Sequence, residues 1–144
     1  MVIRKRLAAR NPDAYDPDLA VSYNNIGLLY SKMQRNFEAE EAYQNALKIR
    51  MRLAERNPEV YEPVLALSFN SIGLLYGNTQ RYTEAEEAYE NALEIRKRLA
   101  ERSPDAYEPN LATSYNNMGE LFRVTGRTEE AEEMFKKAKE ILEK

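Results

Sequence analysis

The sequence predicts an all-α chain, an α-α superhelix of three helix hairpins with a short N-terminal helical tail. Two observations carry this. "YNNIGLLY" at 23–30 returns as "FNSIGLLY" at 69–76 and "YNNMGELF" at 115–122, so Gly27, Gly73 and Gly119 stand 46 residues apart. A fixed period between about 20 and 50 residues marks an array of stacked units. Within each unit the apolar residues recur at helical steps, and no segment reads as a strand.

The opening residues "MVIRKRLAAR" align with "IRMRLAER" at 49–56 and "IRKRLAER" at 95–102. Residues 1–10 therefore read as the tail of a unit whose front is absent. Next comes the first helix of each unit. Leu19, Tyr23, Ile26 and Tyr30 lie on one helical face, and the sets Leu65, Phe69, Ile72, Tyr76 and Leu111, Tyr115, Met118, Phe122 repeat it. Each copy follows an acid–proline pair ending at Pro17, Pro63 or Pro109. Proline suits a first helical turn, where its missing N–H would go unpaired anyway, so the helices are expected to start there.

The second helix of each unit opens on acids, as at Glu84, Glu86 and Glu87, and closes on bases, as at Arg96, Lys97, Arg98 and Arg102. That order complements the helix dipole. Ala42, Ala46, Ile49 and Leu53 mark its buried face, and Ala88, Ala92, Ile95 and Leu99 mark the next copy. Asn57-Pro58 and Ser103-Pro104 are expected to stop it, since a residue before proline is steered out of the α region. The reading is a second helix of about 20 residues, roughly 30 Å long. The "NPDAYDP"-type links are then loops between hairpins. The chain becomes one domain over 1–144, with units at 17–56, 63–102 and 109–144.

Composition narrows function. The 144 residues are 43% hydrophobic and 31% charged, with 21 Lys and Arg against 24 Asp and Glu, a net charge of −3. No basic footprint calls for nucleic acid. The chain has no cysteine, hence neither disulfide nor thiol nucleophile, and no histidine, the commonest general base and metal ligand. No apolar run is long enough to span a membrane, and the start lacks the apolar region of a signal peptide. These features predict a cytoplasmic, non-enzymatic chain without metal or cofactor and without membrane partner. The glutamates at the start of each second helix, such as Glu38, Glu40 and Glu41, read as solvated acids on a helix N-terminus.

The repeated residues resemble the tetratricopeptide repeat, a helix-turn-helix unit. The family's aromatic, Leu-Gly and Tyr correspond to Tyr23, Ile26-Gly27 and Tyr30 in the first helix, and its small residue, aromatic and Ala to Ala39, Tyr43 and Ala46 in the second. The later copies match with Ala85, Tyr89, Ala92 and with Ala131, Phe135, Ala138. The glycine that closes the first helix survives only as Gly126; Gln34 and Gln80 replace it elsewhere, which makes those turns less standard. The long unit is similar to the kinesin-light-chain branch of the family.

The mid-helix glycines have a packing explanation. Glycine inside a helix costs roughly 0.5–1 kcal/mol against alanine, and is kept where another element must come close. Gly27 is expected to face Ala39 or Tyr43.

The resemblance implies a concave groove lined by the first helices. Its inward residues would be Val21, Asn24, Leu28 and Ser31; Leu67, Asn70, Leu74 and Gly77; and Thr113, Asn116, Glu120 and Arg123. It also implies that Asn24, Asn70 and Asn116 clasp the backbone of an extended peptide, since an amide donates and accepts at once. The alternative is that such amides hold adjacent units in register, and Asn25, Ser71 and Asn117 are assigned to that role.

The two ends differ. Leu47 and Leu93 become Lys139, Asn45 and Asn91 become Lys137, and Leu28 and Leu74 become Glu120, so the last unit reads as a polar cap. Ile3 and Leu7 read as an uncovered apolar face, from which a weak homodimer is expected. The leading function is a peptide- or protein-binding adaptor. The alternative is a scaffold or self-assembly module, an excised or engineered run of repeats without a dedicated ligand.

Overall fold

The protein is described from a computed structural model, which covers the backbone from Pro12 and the side chains from Tyr15 to Lys144. Ile3 and Leu7, with the rest of the expected helical tail, lie outside the described residues. Six helices follow in order: α1 Pro12–Lys32, α2 Asn36–Arg56, α3 Pro58–Asn78, α4 Tyr82–Arg102, α5 Pro104–Val124 and α6 Thr128–Leu142. No strand occurs among the described residues. Each odd helix pairs with the next even one as a hairpin, each even helix packs on the following hairpin, and α1 touches α3 directly.

Two sequence expectations need correction. The "NPDAYDP"-type links are helical, so the first helices begin at Pro12, Pro58 and Pro104 rather than at Pro17, Pro63 and Pro109. The earlier proline takes the first helical position. The corner is a single residue: Asn57, at φ −143°, is both the end of α2 and the start of α3. Its N–H donates to the Leu53 carbonyl at 2.9 Å, and its own carbonyl accepts from Tyr61 N–H at 3.1 Å. Ser103 does the same between α4 and α5. The second proline then sits inside the helix and forgoes one backbone bond. That loss falls near the exposed helix start, where Glu59 lies in solvent and water can satisfy the freed carbonyl.

The second correction concerns the hairpin turns. Gln34, Gln80 and Gly126 all adopt the left-handed conformation, with φ of 60°, 64° and 81°. The next residue's N–H reaches back to the helix in each: Arg35 to the Tyr30 carbonyl at 2.9 Å, Arg81 to Tyr76 and Arg127 to Phe122, both at 2.8 Å. The turn is therefore the same in all three units. Glutamine tolerates a conformation that disfavours a side-chain-bearing residue by roughly 1–2 kcal/mol, because these backbone bonds and the arginine that follows hold the corner. Arg35 lies 4.8 Å from the Tyr30 ring, Arg81 4.3 Å from Tyr76 and Arg127 4.0 Å from Phe122. Each also pairs with the acid three residues on: Glu38, Glu84 or Glu130.

The core runs continuously through the stack, joining Ala39 and Tyr43 to Ile72, Leu75, Tyr76 and Tyr89 and then to Met118, Leu121 and Phe122. Burial by a preceding unit is visible at one position: Leu75 and Leu121 are 3% and 5% exposed, while their first-unit counterpart Leu29 is 57% exposed.

The glycine expectation holds, with the aromatic as the partner. A Cβ on Gly27 would meet the Tyr43 ring at 2.6 Å, one on Gly73 the Tyr89 ring at 2.7 Å, and one on Gly119 the Phe135 ring at 2.7 Å. Tyr43 and Tyr89 are buried in the core and cannot step aside. Gly73→Leu is expected to lower stability by about 1–3 kcal/mol through overpacking, read as a fall in the urea midpoint; an unchanged midpoint would refute the crossing.

Candidate functional site

The face formed by α1, α3 and α5 carries the residues picked out from the sequence. Leucines and valine line its first two units: Val21, Leu28, Leu67 and Leu74 are 44%, 46%, 42% and 44% exposed. They stand at two equivalent positions in each helix, two turns apart, with Asn24 or Asn70 between them. Core packing does not explain large aliphatics left half in water at matched positions. In the third unit the same positions are polar: Thr113 and Glu120, both exposed, with Asn116 and Arg123 exposed beside them. Arg123 Nε donates to Glu120 at 3.0 Å, and that bond holds the Glu120 carboxyl below the usual carboxylate range. Ser31 is half-buried, and Gly77 has nothing within 4 Å of the Cβ it lacks.

The three asparagines read as a clasp do not share one environment. Asn70 is 8% exposed, and its Oδ1 accepts from Asn117 Nδ2 at 2.6 Å. Its acceptor already ties α3 to α5. Asn117 thus bonds to the preceding unit's first helix, as a register role requires. Asn24 is half-buried, and its Oδ1 is buried without a partner. The residue equivalent to Asn117 in the second unit is Ser71, whose shorter side chain lacks the amide donor that Asn117 supplies to Asn70. Only Asn116 is exposed.

Further inter-unit contacts were not anticipated from the sequence. Arg50 Nη1 donates to Ser68 Oγ and Arg96 Nη1 to Ser114 Oγ, both at 2.8 Å. Both guanidiniums are buried, and burial pushes them below the usual arginine range. Above them Arg81 reaches Glu40 of the preceding unit, and Arg127 reaches Glu86, each at 2.5 Å. The signal for these pairs was the 46-residue recurrence of Arg50 and Arg96 with Ser68 and Ser114, but arginines on a charged helix look alike before burial is known. The acids beginning the second helices are drawn into such pairs. No cluster suited to a metal ion occurs among the described residues, and no helix there is long and apolar enough to cross a membrane.

Three stacked helix hairpins with a half-apolar face define a helical-repeat solenoid. The sequence model of the tetratricopeptide repeat family matches residues 18–98 and 63–144. The chain belongs to the tetratricopeptide repeat family, whose repeats generally mediate protein–protein interaction. No curated protein matches the sequence. Among solved structures, BtubC (BKLC) from P. vanneervenii is similar at a TM-score of 0.78 and 23% identity, over 94% of this chain and 51% of that one. The chain thus spans about half the length of BtubC. MamA is similar at a TM-score of 0.47 and 21% identity, over 97% of this chain and 85% of that one.

The environments of the asparagines separate their roles. Asn70→Ala is expected to destabilise by about 1–2 kcal/mol, because it strands a part-buried amide. Asn116→Ala is expected to stay within about 0.5 kcal/mol. Parallel urea melts distinguish them, and equal small losses would refute the register role of Asn70.

Proposed function

We propose that the chain is a non-enzymatic adaptor whose first-helix face forms a concave groove for an extended segment of a partner protein. The observation that carries this reading is the matched set Val21, Leu28, Leu67 and Leu74, half-exposed at equivalent positions in adjacent helices. An apolar patch with a polar border is the common mark of an interaction surface. The groove is apolar along its first two units and polar along the third, through Thr113, Asn116, Glu120 and Arg123. A partner segment would place aliphatic residues over the first part and polar ones over the last. Asn116 is the one amide of the proposed clasp that is exposed; Asn70 is committed to Asn117.

A peptide array probed with the isolated domain tests this. Peptides captured by the native chain are expected to lose binding to Leu28→Glu and Leu74→Glu. Both residues are exposed, so stability should move by less than about 0.5 kcal/mol. Met51→Glu and Val60→Glu, exposed on α2 and α3 away from those positions, should bind normally. Binding lost in the control variants and kept in the groove variants would overturn the reading.

A second reading, a scaffold that self-associates, is favoured by Leu29, Met33 and Phe37 around the first hairpin turn, which are 57%, 53% and 78% exposed; Ile3 and Leu7, from which the sequence predicts the dimer, lie outside the described residues. Burying one such side chain is worth roughly 1.5–3 kcal/mol. Sedimentation over a wide concentration range should show a weak dimer that Leu29→Glu dissociates. A chain monomeric throughout would remove this reading.

A further inference from the structure

A cleft of about 190 Å³ opens in the same face between α3 and α5. Leu74, Gly77, Leu121 and Val124 give it apolar walls, and Asn78, Asn117 and Glu120 border it. At its base lies Tyr89, 5% exposed. The Tyr89 ring crosses Gly73, and Gly77 is one helical turn further on, so the outer end of the ring reaches the cleft beside Gly77. The phenol makes no hydrogen bond to any described residue. Burial pushes it up to about 12, so it stays protonated, and a donor, at neutral pH.

The hydroxyl is not sealed from solvent, so water in the cleft can serve it, and a group that displaces that water must replace its hydrogen bond. The other units do not offer the same arrangement. In the first unit the equivalent residues are Tyr43 and Ser31, the latter with a side chain where Gly77 has none. In the third they are Phe135, which has no hydroxyl, and Arg123. Only the second unit joins a phenol to a bare helix position in the groove.

We infer that this cleft is a side-chain subsite for an uncharged group with an apolar stem and a hydrogen-bond-accepting tip, the amide of glutamine or the phenol of tyrosine. The walls exclude an ion, which would lose its water without gaining a counter-charge. Glu120 is already paired with Arg123 and also repels a carboxylate. A purely aliphatic group would leave the phenol unpaired, and sites built to hydrogen-bond discriminate strongly against such analogues. The inference rests on the groove reading for its occupant, but the cleft can be probed without any partner.

The probes are p-cresol against toluene, which has the stem without the tip, and propionamide against butyrate. Binding is read by NMR from the amide signals of Gly77 and Asn117. p-Cresol and propionamide are expected to shift both signals, while toluene and butyrate bind more weakly. Tyr89→Phe carries the residue that already packs on Gly119 in the third unit, so it should keep the native melting temperature. It should weaken p-cresol and propionamide by about three- to tenfold, the loss of one neutral hydrogen bond. Gly77→Leu, pointing into open space, should abolish both. Equal binding to native and Tyr89→Phe protein, or butyrate binding as tightly as propionamide, would overturn the assignment. So would the absence of any shift at Gly77, and that result would leave the groove reading standing, since it depends on peptide capture through Leu28 and Leu74.

Discussion

Each hairpin is organised around one contact, an aromatic ring laid across a bare glycine. Tyr43 lies on Gly27, Tyr89 on Gly73 and Phe135 on Gly119, with no room for a methyl group between them. Glycine weakens a helix by roughly 0.5–1 kcal/mol, which is small beside the dispersion contacts a flat ring gains against bare backbone. The close crossing lets Ala39, Ala85 and Ala131 be fully or nearly fully buried without a void. It also fixes the groove, because the ring that crosses Gly73 extends to the cleft beside Gly77. One side chain therefore packs the core with its face and borders the cleft with its tip.

Between hairpins the contacts are of another kind. The apolar clusters hold neighbours together but are tolerant of sliding, since burial is non-directional. Directional bonds occur at three depths: Arg81 to Glu40 near the turns, Asn117 to Asn70 beneath the groove, and Arg50 to Ser68 towards the other end of the helices. The arginines are informative because they are buried on a hydroxyl rather than a carboxylate. A buried charge without an opposite charge is a poor source of stability. A single acceptor at one position is instead a good gauge of register, and the pair Arg96 with Ser114 repeats the same geometry one unit on.

The sequence revealed what depends on one unit alone. The period, the hairpins, the 21-residue second helices α2 and α4, and the partner of each glycine follow from local spacing and volume. It hid what depends on context. The link helices were missed because a proline six residues into a helix looks like a start, while the true start was one proline earlier. The left-handed glutamines were missed because propensity favours glycine, although backbone bonds and a stacked arginine override it. The asparagines of the expected clasp diverge because their surroundings differ: Ser71 follows Asn24 in the stack, Asn117 follows Asn70 and bonds to it, and Asn116 is exposed. A single sequence position repeated three times is therefore not one chemical site repeated three times.

That distinction bears on where specificity can reside. Positions that pack against the same neighbour in every unit are held nearly constant: the glycine, the aromatic upon it, the small alanines. Positions on the groove face are not so held, and there the units differ most, as Val21, Leu67 and Thr113 do, or Ser31, Gly77 and Arg123. Stacking repeats alone would leave these positions to drift toward any polar residue, since solvent tolerates them all. Two half-exposed leucines and a phenol opening on a glycine are the opposite of such drift, because stacking requires neither aliphatic groups in water nor a hydroxyl on the ring. On the proposed reading, a partner segment with aliphatic residues and one neutral acceptor would satisfy both, and the second unit would be the groove's most selective point.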